Sequence, residues 1–232
     1  MQTSEIVILT GAGVSAESGL STFRDKGGVW SQVRLEDVAT PQAFMRDPVR
    51  VHDFYNSRRG RLPTVMPNPA HEAIARLQRG FAGRVTLITQ NVDDLHERGG
   101  SPDVIHMHGQ LNHALCAGCG HQWGWQGSMS TGDVCAACGA QGTVRPDVVW
   151  FGEMPYHMDL IAERMAGCDL FVAIGTSGAV YPAAGFVAGA REQGARTIEI
   201  NLEPSENTAL FDEQRLGRAS ETVPQWVDSV LK

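Results

Sequence analysis

The cysteines of this chain fall into a pattern that holds metal. Cys116-x2-Cys119 and Cys135-x2-Cys138 are two identical pairs separated by fifteen residues, the spacing of a four-thiolate zinc ribbon. Four thiolates complete a tetrahedron and leave no position for water, so such an ion staples the fold and does no chemistry itself. The intervening "GHQWGWQGSMSTGD" is polar and turn-rich, as a metal-held module should be. His113 and His121 lie near enough in sequence to be alternative ligands, while Cys168 stands alone ahead of an apolar run and reads as a small buried residue. Five cysteines in 232 residues are too few for a disulfide framework. The paired thiols suit a reducing compartment.

Three further groups could act on a ligand. "GAGVSA" sets Gly11, Gly13 and Ala16 at the small positions of the G-x-G-x-x-G/A fingerprint, where a tight turn and a helix start receive a pyrophosphate. Such a site normally takes its ribose on an acidic residue roughly twenty positions further on, at the end of a second strand. Glu36 and Asp37 have that spacing, but "SQVRLEDVATP" does not end a strand. An ordinary dehydrogenase is therefore not expected, and "NLE" (201–203) is the alternative source of ribose contacts. "VIHMHGQL" carries His106 and His108, either of which could move a proton near neutral pH. "FYNSRR" puts Tyr55 and Arg58 three apart in a helical stretch, so a phenol and a guanidinium share one face. A solvated helix face with one aromatic turned inward would look the same.

The frame that gathers these groups is legible in the apolar runs. "IVIL" (6–9), "VTLIT" (85–89), "LFVAIG" (170–175) and "TIEIN" (197–201) suit strands buried on both faces, hence an α/β fold with a parallel sheet between helical layers. "PAHEAIARLQRG" and "PAAGFVAGAREQG" carry proline at the start and glycine at the end, the punctuation of helices. The strand runs lead into "TGAGVSAESG", "QNVDDLH", "TSG" and "LEPSE". Ligands of open α/β sheets bind beyond the carboxyl ends of the strands, so these polar segments should converge on one crevice. Residues from about 31 to 79 and from about 112 to 142 do not fit the sheet and read as insertions.

Charge and hydropathy narrow the partners. The net charge of −7 gives no broad basic field for nucleic acid. With only Lys26 and Lys232 as lysines, nearly all positive charge is arginine, which favours bidentate contact with anions. The longest apolar region is broken by "GTSG" and Pro182, so it reads as strand, loop and helix and not as a membrane span. The first residues lack the basic and apolar stretches of a signal peptide. A cytoplasmic protein is expected.

The motifs together resemble those of the sirtuins. "GAGVSAESGLSTFR", "TQNVDDLH", "HMHG", the two CxxC pairs, "VVWFGE", "GTS" and "NLEP" occur in the order of that family, from residue 11 to 204. The resemblance implies an NAD-consuming protein-lysine deacylase that releases nicotinamide, free lysine and O-acyl-ADP-ribose. It implies a Rossmann-like large domain from about 1–30, 80–111 and 143–232, with the helical insertion (31–79) and the zinc module (112–142) forming a smaller lobe. His108, which immediately precedes a glycine, would be the general base on a ribose hydroxyl. Gly11, Ala12, Gly13, Ser15, Ala16 and Glu17 would shape the pyrophosphate and ribose site, and Phe23, Arg24 and Trp30 would belong to the loop over the dinucleotide. Gln90, Asn91 and Asp93 would hold the nicotinamide and its ribose. Gly175, Thr176 and Ser177 would cradle phosphate and ribose, and Asn201, Leu202, Glu203 and Ala219 the adenosine. Cys116, Cys119, Cys135 and Cys138 would bind one structural zinc. "VVWFGE" and "SGAVYP" would sandwich an acylated peptide as an added strand, read mainly through its main chain.

Within that family a Tyr-x-x-Arg pair in the acyl pocket resembles the desuccinylase and demalonylase branch. Tyr55 and Arg58 match it, and Ala39 in "EDVATP" is small enough to widen the pocket. The chemistry agrees, since a succinyl group ends in a carboxylate that an arginine fork and a phenol can hold. A general deacetylase, a mono-ADP-ribosyltransferase using the same NAD site and a non-catalytic binding module are the alternatives. The presence of His108, Asn91 and Asp93 together argues against the last.

Overall fold

The computed structural model describes residues 3–20 and 34–232. Among the described residues, nine strands form two sheets: β1 Glu5–Thr10, β2 Arg84–Thr89, β3 Ile105–His106, β4 Gly109–Cys116, β5 Gln122–Gly124, β6 Val144–Val148, β7 Leu170–Ile174, β8 Arg196–Asn201 and β9 Glu213–Leu216. Six make one sheet in the order β3-β2-β1-β7-β8-β9, with every pairing parallel. The other three make an antiparallel sheet in the order β5-β4-β6.

The apolar runs are continuous because both faces of the large sheet are covered. Along β1, Ile6 and Ile8 point into one core and Val7 and Leu9 into the other. Leu170, Val172 and Ile174 of β7 join the first, Phe171 and Ala173 the second. The first core is closed by helices Pro69–Gly80 and Ala219–Val230, which supply Ile74, Leu77, Val223 and Trp226. Helices Met158–Ala166 and Phe186–Glu192 close the second through Ile161, Val187 and Ala190. Helix Pro69–Gly80 shows why its sequence chose that state. Ala70, Ala73, Ile74 and Leu77 make one buried stripe. Pro69 opens the first turn, and the Asn68 side chain accepts from the Ala70 amide at 2.9 Å. Residues 182–194 differ from a simple helix, opening with a 3-10 turn at Ala183–Gly185 before the α-helix begins at Phe186.

The chain order of the sheet fixes where a ligand goes. From the centre the chain builds outward through β2 and β3, then returns to the other side of β1 as β7, β8 and β9. The direction reverses between β1 and β7, and the carboxyl ends of those two strands flank the crevice that open α/β sheets use. Among the described residues, no helix is long and apolar enough to cross a membrane.

Candidate active site

At the switch point the turns after β1 and β7 touch backbone to backbone. The Gly11 amide donates to the Ile174 carbonyl at 3.0 Å and the Gly13 amide to the Gly175 carbonyl at 2.9 Å. A Cβ on Gly11 would lie 2.8 Å from the Gly175 oxygen, and one on Gly13 would lie 2.7 Å from the Gly175 Cα. Gly175 itself has φ +62°, a conformation that costs glycine nothing. The fingerprint glycines therefore serve first to let two turns meet. The meeting brings the backbone of Gly11, Ala12, Gly13, Gly175 and Thr176 into one shelf at the carboxyl ends of β1 and β7, where open α/β sheets take a phosphate. Asn201 at the end of β8 braces it by donating to the Thr176 carbonyl at 2.7 Å.

Behind the shelf lies a buried polar cluster from the ends of β1 and β2. Asn91 Nδ2 donates to the Gly11 carbonyl at 3.1 Å and to Ser15 Oγ at 3.2 Å. Ser15 also hydrogen-bonds the Asp93 carboxylate, whose pKa is pushed up by burial, an effect opposed by its bonds from the Leu95 amide and Ser15. His71 Nδ1 accepts from the Asn68 amide at 3.2 Å, so its Nε2 carries the proton and faces Ser15 Oγ at 3.4 Å. His96, in edge-to-face contact with His71, bonds through Nε2 to Thr10 Oγ1 at 2.9 Å. His106 faces two acceptors, the Asn91 carbonyl at 3.3 Å and Glu97 Oε1 at 2.5 Å. Sequence reasoning passed over His71 and His96. The Asn68–His71 spacing at a helix start was the available signal.

These buried imidazoles predict an acid limit to stability. Burial holds His71 down to about 4 and His96 well below its ordinary value. In the unfolded chain both return to about 6.5. As pH falls below that value the unfolded state takes up protons that the folded state refuses, so stability drops towards pH 4 and is fully present above pH 6.5. His71 alone accounts for about 3 kcal/mol of this loss. Urea melts between pH 7 and pH 4.5 should show a steadily falling midpoint, and a flat profile would contradict the buried neutral state.

His108 sits half-buried in the crevice, after the short strand β3. Its Nδ1 lies 3.2 Å from the Gln90 carbonyl. A carbonyl only accepts, so Nδ1 bears the hydrogen and the Nε2 lone pair is left for a ligand. Burial lowers its pKa and the Gln90 bond partly restores it, so the imidazole is neutral at pH 7. The next residue must be glycine: Gly109 has φ +75°, and a Cβ there would lie 2.1 Å from the Asp147 carbonyl oxygen on β6.

Tyr55 and Arg58 both come from helix Pro48–Arg61. Tyr55 is only 2% exposed and packs with Ala39, Leu111 and Trp150, with Val92 at the edge of the cluster. Burial pushes its phenol up to about 12, and Trp150 Nε1 donates to its oxygen at 3.0 Å. Arg58 is desolvated, which lowers its pKa, and it lies beside the neutral Tyr55 phenol and within reach of the Asp93 carboxylate. The arginine therefore lies within electrostatic reach of the Asn91–Asp93 turn. The plain solvated helix face is not what this helix has.

The four cysteines come together as their spacing predicts. Their sulfurs all lie within 4.8 Å of one another, with Cys116–Cys138 at 3.8 Å and Cys119–Cys135 at 3.7 Å. Zn–S bonds of about 2.3 Å give a tetrahedron whose edges are about 3.8 Å, so the donor set fits zinc. His113 and His121 stay outside this group. Each pair rests on a tight turn closed by a left-handed glycine, Gly120 at φ +76° and Gly139 at φ +72°. The module is tied to helix Pro48–Arg61 by contacts that sequence reasoning missed. Asn56 exchanges two 2.8 Å hydrogen bonds with the Met129 backbone, and the neighbouring Arg59 donates to the carbonyls of Leu111 (2.5 Å) and Gly127 (3.3 Å).

Other expected site residues are more scattered. Glu17 accepts from the Ser220 amide at 3.0 Å and the Ser220 hydroxyl at 2.6 Å, which brings it beside Ala219. Ala16 is in the short helix after the glycine turn, and Ser177 Oγ accepts from the Ala179 amide. Leu202 and Glu203 are exposed beyond β8. Phe23, Arg24 and Trp30 lie outside the described residues.

Comparison with known proteins agrees with this arrangement. The family model described as "Sir2 family" matches residues 11–182. An "NAD-dependent protein deacylase" of Caulobacter vibrioides is 56% identical over 230 residues, covering 98% of this chain and 97% of the relative. An "NAD-dependent protein deacylase SIR2rp3" of Leishmania major is 54% identical over 233 residues, covering 98% and 96%. A crystal structure of a Sir2 homolog–NAD complex superposes with a TM-score of 0.91 at 39% identity, covering 100% of this chain and 92% of that one. With the sheet, the paired turns and the four-cysteine module all in agreement, this chain belongs to the Sir2 family.

Proposed function

We propose that this protein is an NAD-dependent protein-lysine deacylase whose acyl pocket prefers succinyl and malonyl groups while admitting acetyl. The observation that carries the preference is a buried phenol beside a desolvated guanidinium, Tyr55 and Arg58, within electrostatic reach of Asp93. A ligand carboxylate offsets the desolvation of Arg58 and accepts from both side chains. An acetyl group ends in a methyl and offers neither. The deacylase activity itself has the support of relatives that carry that name along nearly their whole length.

Bound NAD supplies an electrophilic ribose carbon as its nicotinamide departs. Gly11, Ala12, Gly13, Gly175 and Thr176 would hold the pyrophosphate against bare backbone; Gln90, Asn91 and Asp93 the nicotinamide riboside; Asn201, Leu202, Glu203 and Ala219 the adenosine. His108 takes the proton of a ribose hydroxyl at Nε2, with Nδ1–H fixed on the Gln90 carbonyl. The acyl-lysine main chain adds as a strand between "VVWFGE" and "SGAVYP". Support for that path comes from the exposed apolar residues Phe151 and Met154 on one side and Val180 and Tyr181 on the other.

Arg58→Met tests the acyl preference. A charge-assisted hydrogen bond contributes about 1.5–3 kcal/mol, so kcat/KM for a succinyl-lysine peptide should fall roughly 10- to 150-fold. The same change should cost an acetyl-lysine peptide far less. An equal loss on both substrates would make Arg58 a structural residue.

A further inference from the structure

The phenol of Tyr55 can read a carboxylate only if its hydrogen points at the ligand, and a residue outside the Tyr-x-x-Arg pair governs that. We propose that Trp150 is a positioning residue for acyl specificity: its indole N–H occupies the acceptor side of Tyr55 Oη and so turns the phenol O–H toward the acyl group. This rests on the acidic-acyl reading above and adds to it.

The polarity of the contact is unambiguous. An indole nitrogen donates and never accepts, so at 3.0 Å from Trp150 Nε1 the Tyr55 oxygen must be the acceptor. The other charged groups that act on the phenol are Arg58, Arg145 and Glu153. Both arginines are donors only. The Glu153 carboxylate is already engaged, by Arg145 at 2.6 and 2.9 Å and by the Trp150 amide at 2.8 Å. With both arginines donors only and Glu153 already held by three hydrogen bonds, the phenol hydrogen is left for a carboxylate seated beside Arg58. Burial keeps that hydrogen on the oxygen at any physiological pH. A carboxylate accepts it; the methyl of an acetyl group cannot.

The indole is itself held rigidly. Its ring is 2% exposed, with the Arg145 guanidinium 3.5 Å from its centroid and the Phe44 ring at 5.5 Å. Arg145 is fixed in turn by Glu153 and by donation to the Val148 carbonyl at 2.8 Å. A cation stacked on the face of an indole and a hydrogen bond along its edge leave the ring one orientation. Trp150 belongs to "VVWFGE", the segment read above as one wall of the peptide groove, so the same short stretch would serve both main chain and acyl group.

The test is a double-mutant cycle on the full protein. Trp150→Phe keeps an aromatic ring under Arg145 and removes only the N–H donor with part of the ring. Tyr55→Phe removes the phenol, and the double variant closes the cycle. For each, kcat and KM are measured on succinyl-lysine and acetyl-lysine versions of one peptide. The succinyl-to-acetyl ratio of kcat/KM, taken on one preparation, does not depend on how much of the enzyme is folded. Trp150→Phe should lower that ratio about 3- to 10-fold, mainly through a raised succinyl KM. In the Tyr55→Phe background it should lower the ratio no further. An unchanged ratio, or effects that multiply independently, would overturn the role given to Trp150. A wild-type enzyme with no succinyl preference would instead overturn the acidic-acyl reading, and this proposal with it.

Discussion

His108→Ala should abolish deacylation and leave the protein folded. The side chain is half-buried and its hydrogen bond goes to the Gln90 carbonyl, which can turn to water once the ring is gone. It lies outside all four apolar clusters, so its loss opens no cavity among them. The thermal midpoint should therefore stay near that of the wild type. Turnover is another matter, because a positioned base contributes typically 10²- to 10⁴-fold. Burial also lowers the His108 pKa, so the acid limb of kcat/KM should fall at a pH below that of an ordinary histidine. Steady-state rates with an acylated peptide and NAD, beside a melting curve, check both halves. Near-wild-type turnover in a folded variant would remove His108 from the mechanism.

Stripping the metal should have the second large effect. Structural zinc contributes on the order of 10 kcal/mol to folding in finger peptides. Without the ion, the four sulfurs within 4.8 Å of one another take up protons and lose the bonds that joined them, and the two glycine-closed turns lose what holds them together. The damage should not stop at the module. Asn56 and Arg59 lean on Met129, Gly127 and Leu111, and they sit on the same helix as Tyr55 and Arg58. Hydrogen exchange of chelated protein should speed up over residues 112–142 and also along helix Pro48–Arg61, with loss of deacylation. Metal analysis of untreated protein should give one zinc per chain. A verified metal-free protein with unchanged exchange and full activity would refute the structural role.

The parts of this molecule that were legible in advance share a physical cause. β1, β2, β7 and β8 could be found because burial on both faces demands uninterrupted apolar residues, and "IVIL" or "LFVAIG" has few other uses. β3 has two residues, and edge strand β9 alternates between half-buried and exposed, so neither left a run to find. The cysteine module was legible because metal geometry constrains spacing within one segment. Contacts between distant segments were not. Ser15 meets His71 across 56 positions, Tyr55 meets Trp150 across 95, and nothing local in either sequence marks the partner. The adjacent arginines make the point most sharply. Arg58 is desolvated within electrostatic reach of Asp93, while Arg59 anchors the helix to the zinc module. A solved fold is needed to tell them apart by contact. Even the fingerprint glycines were read for only half their work, since their first constraint is the approach of Gly175.

The most direct test of the central claim is a comparison of kcat/KM for NAD-dependent removal of succinyl and acetyl groups from the same lysine of one peptide. A pocket in which Tyr55 and Arg58 read a carboxylate predicts a ratio well above one in favour of succinyl, with malonyl following it. Equal or greater acetyl activity would mean that the pair tolerates a carboxylate without selecting it, and the acidic-acyl function would have to be given up.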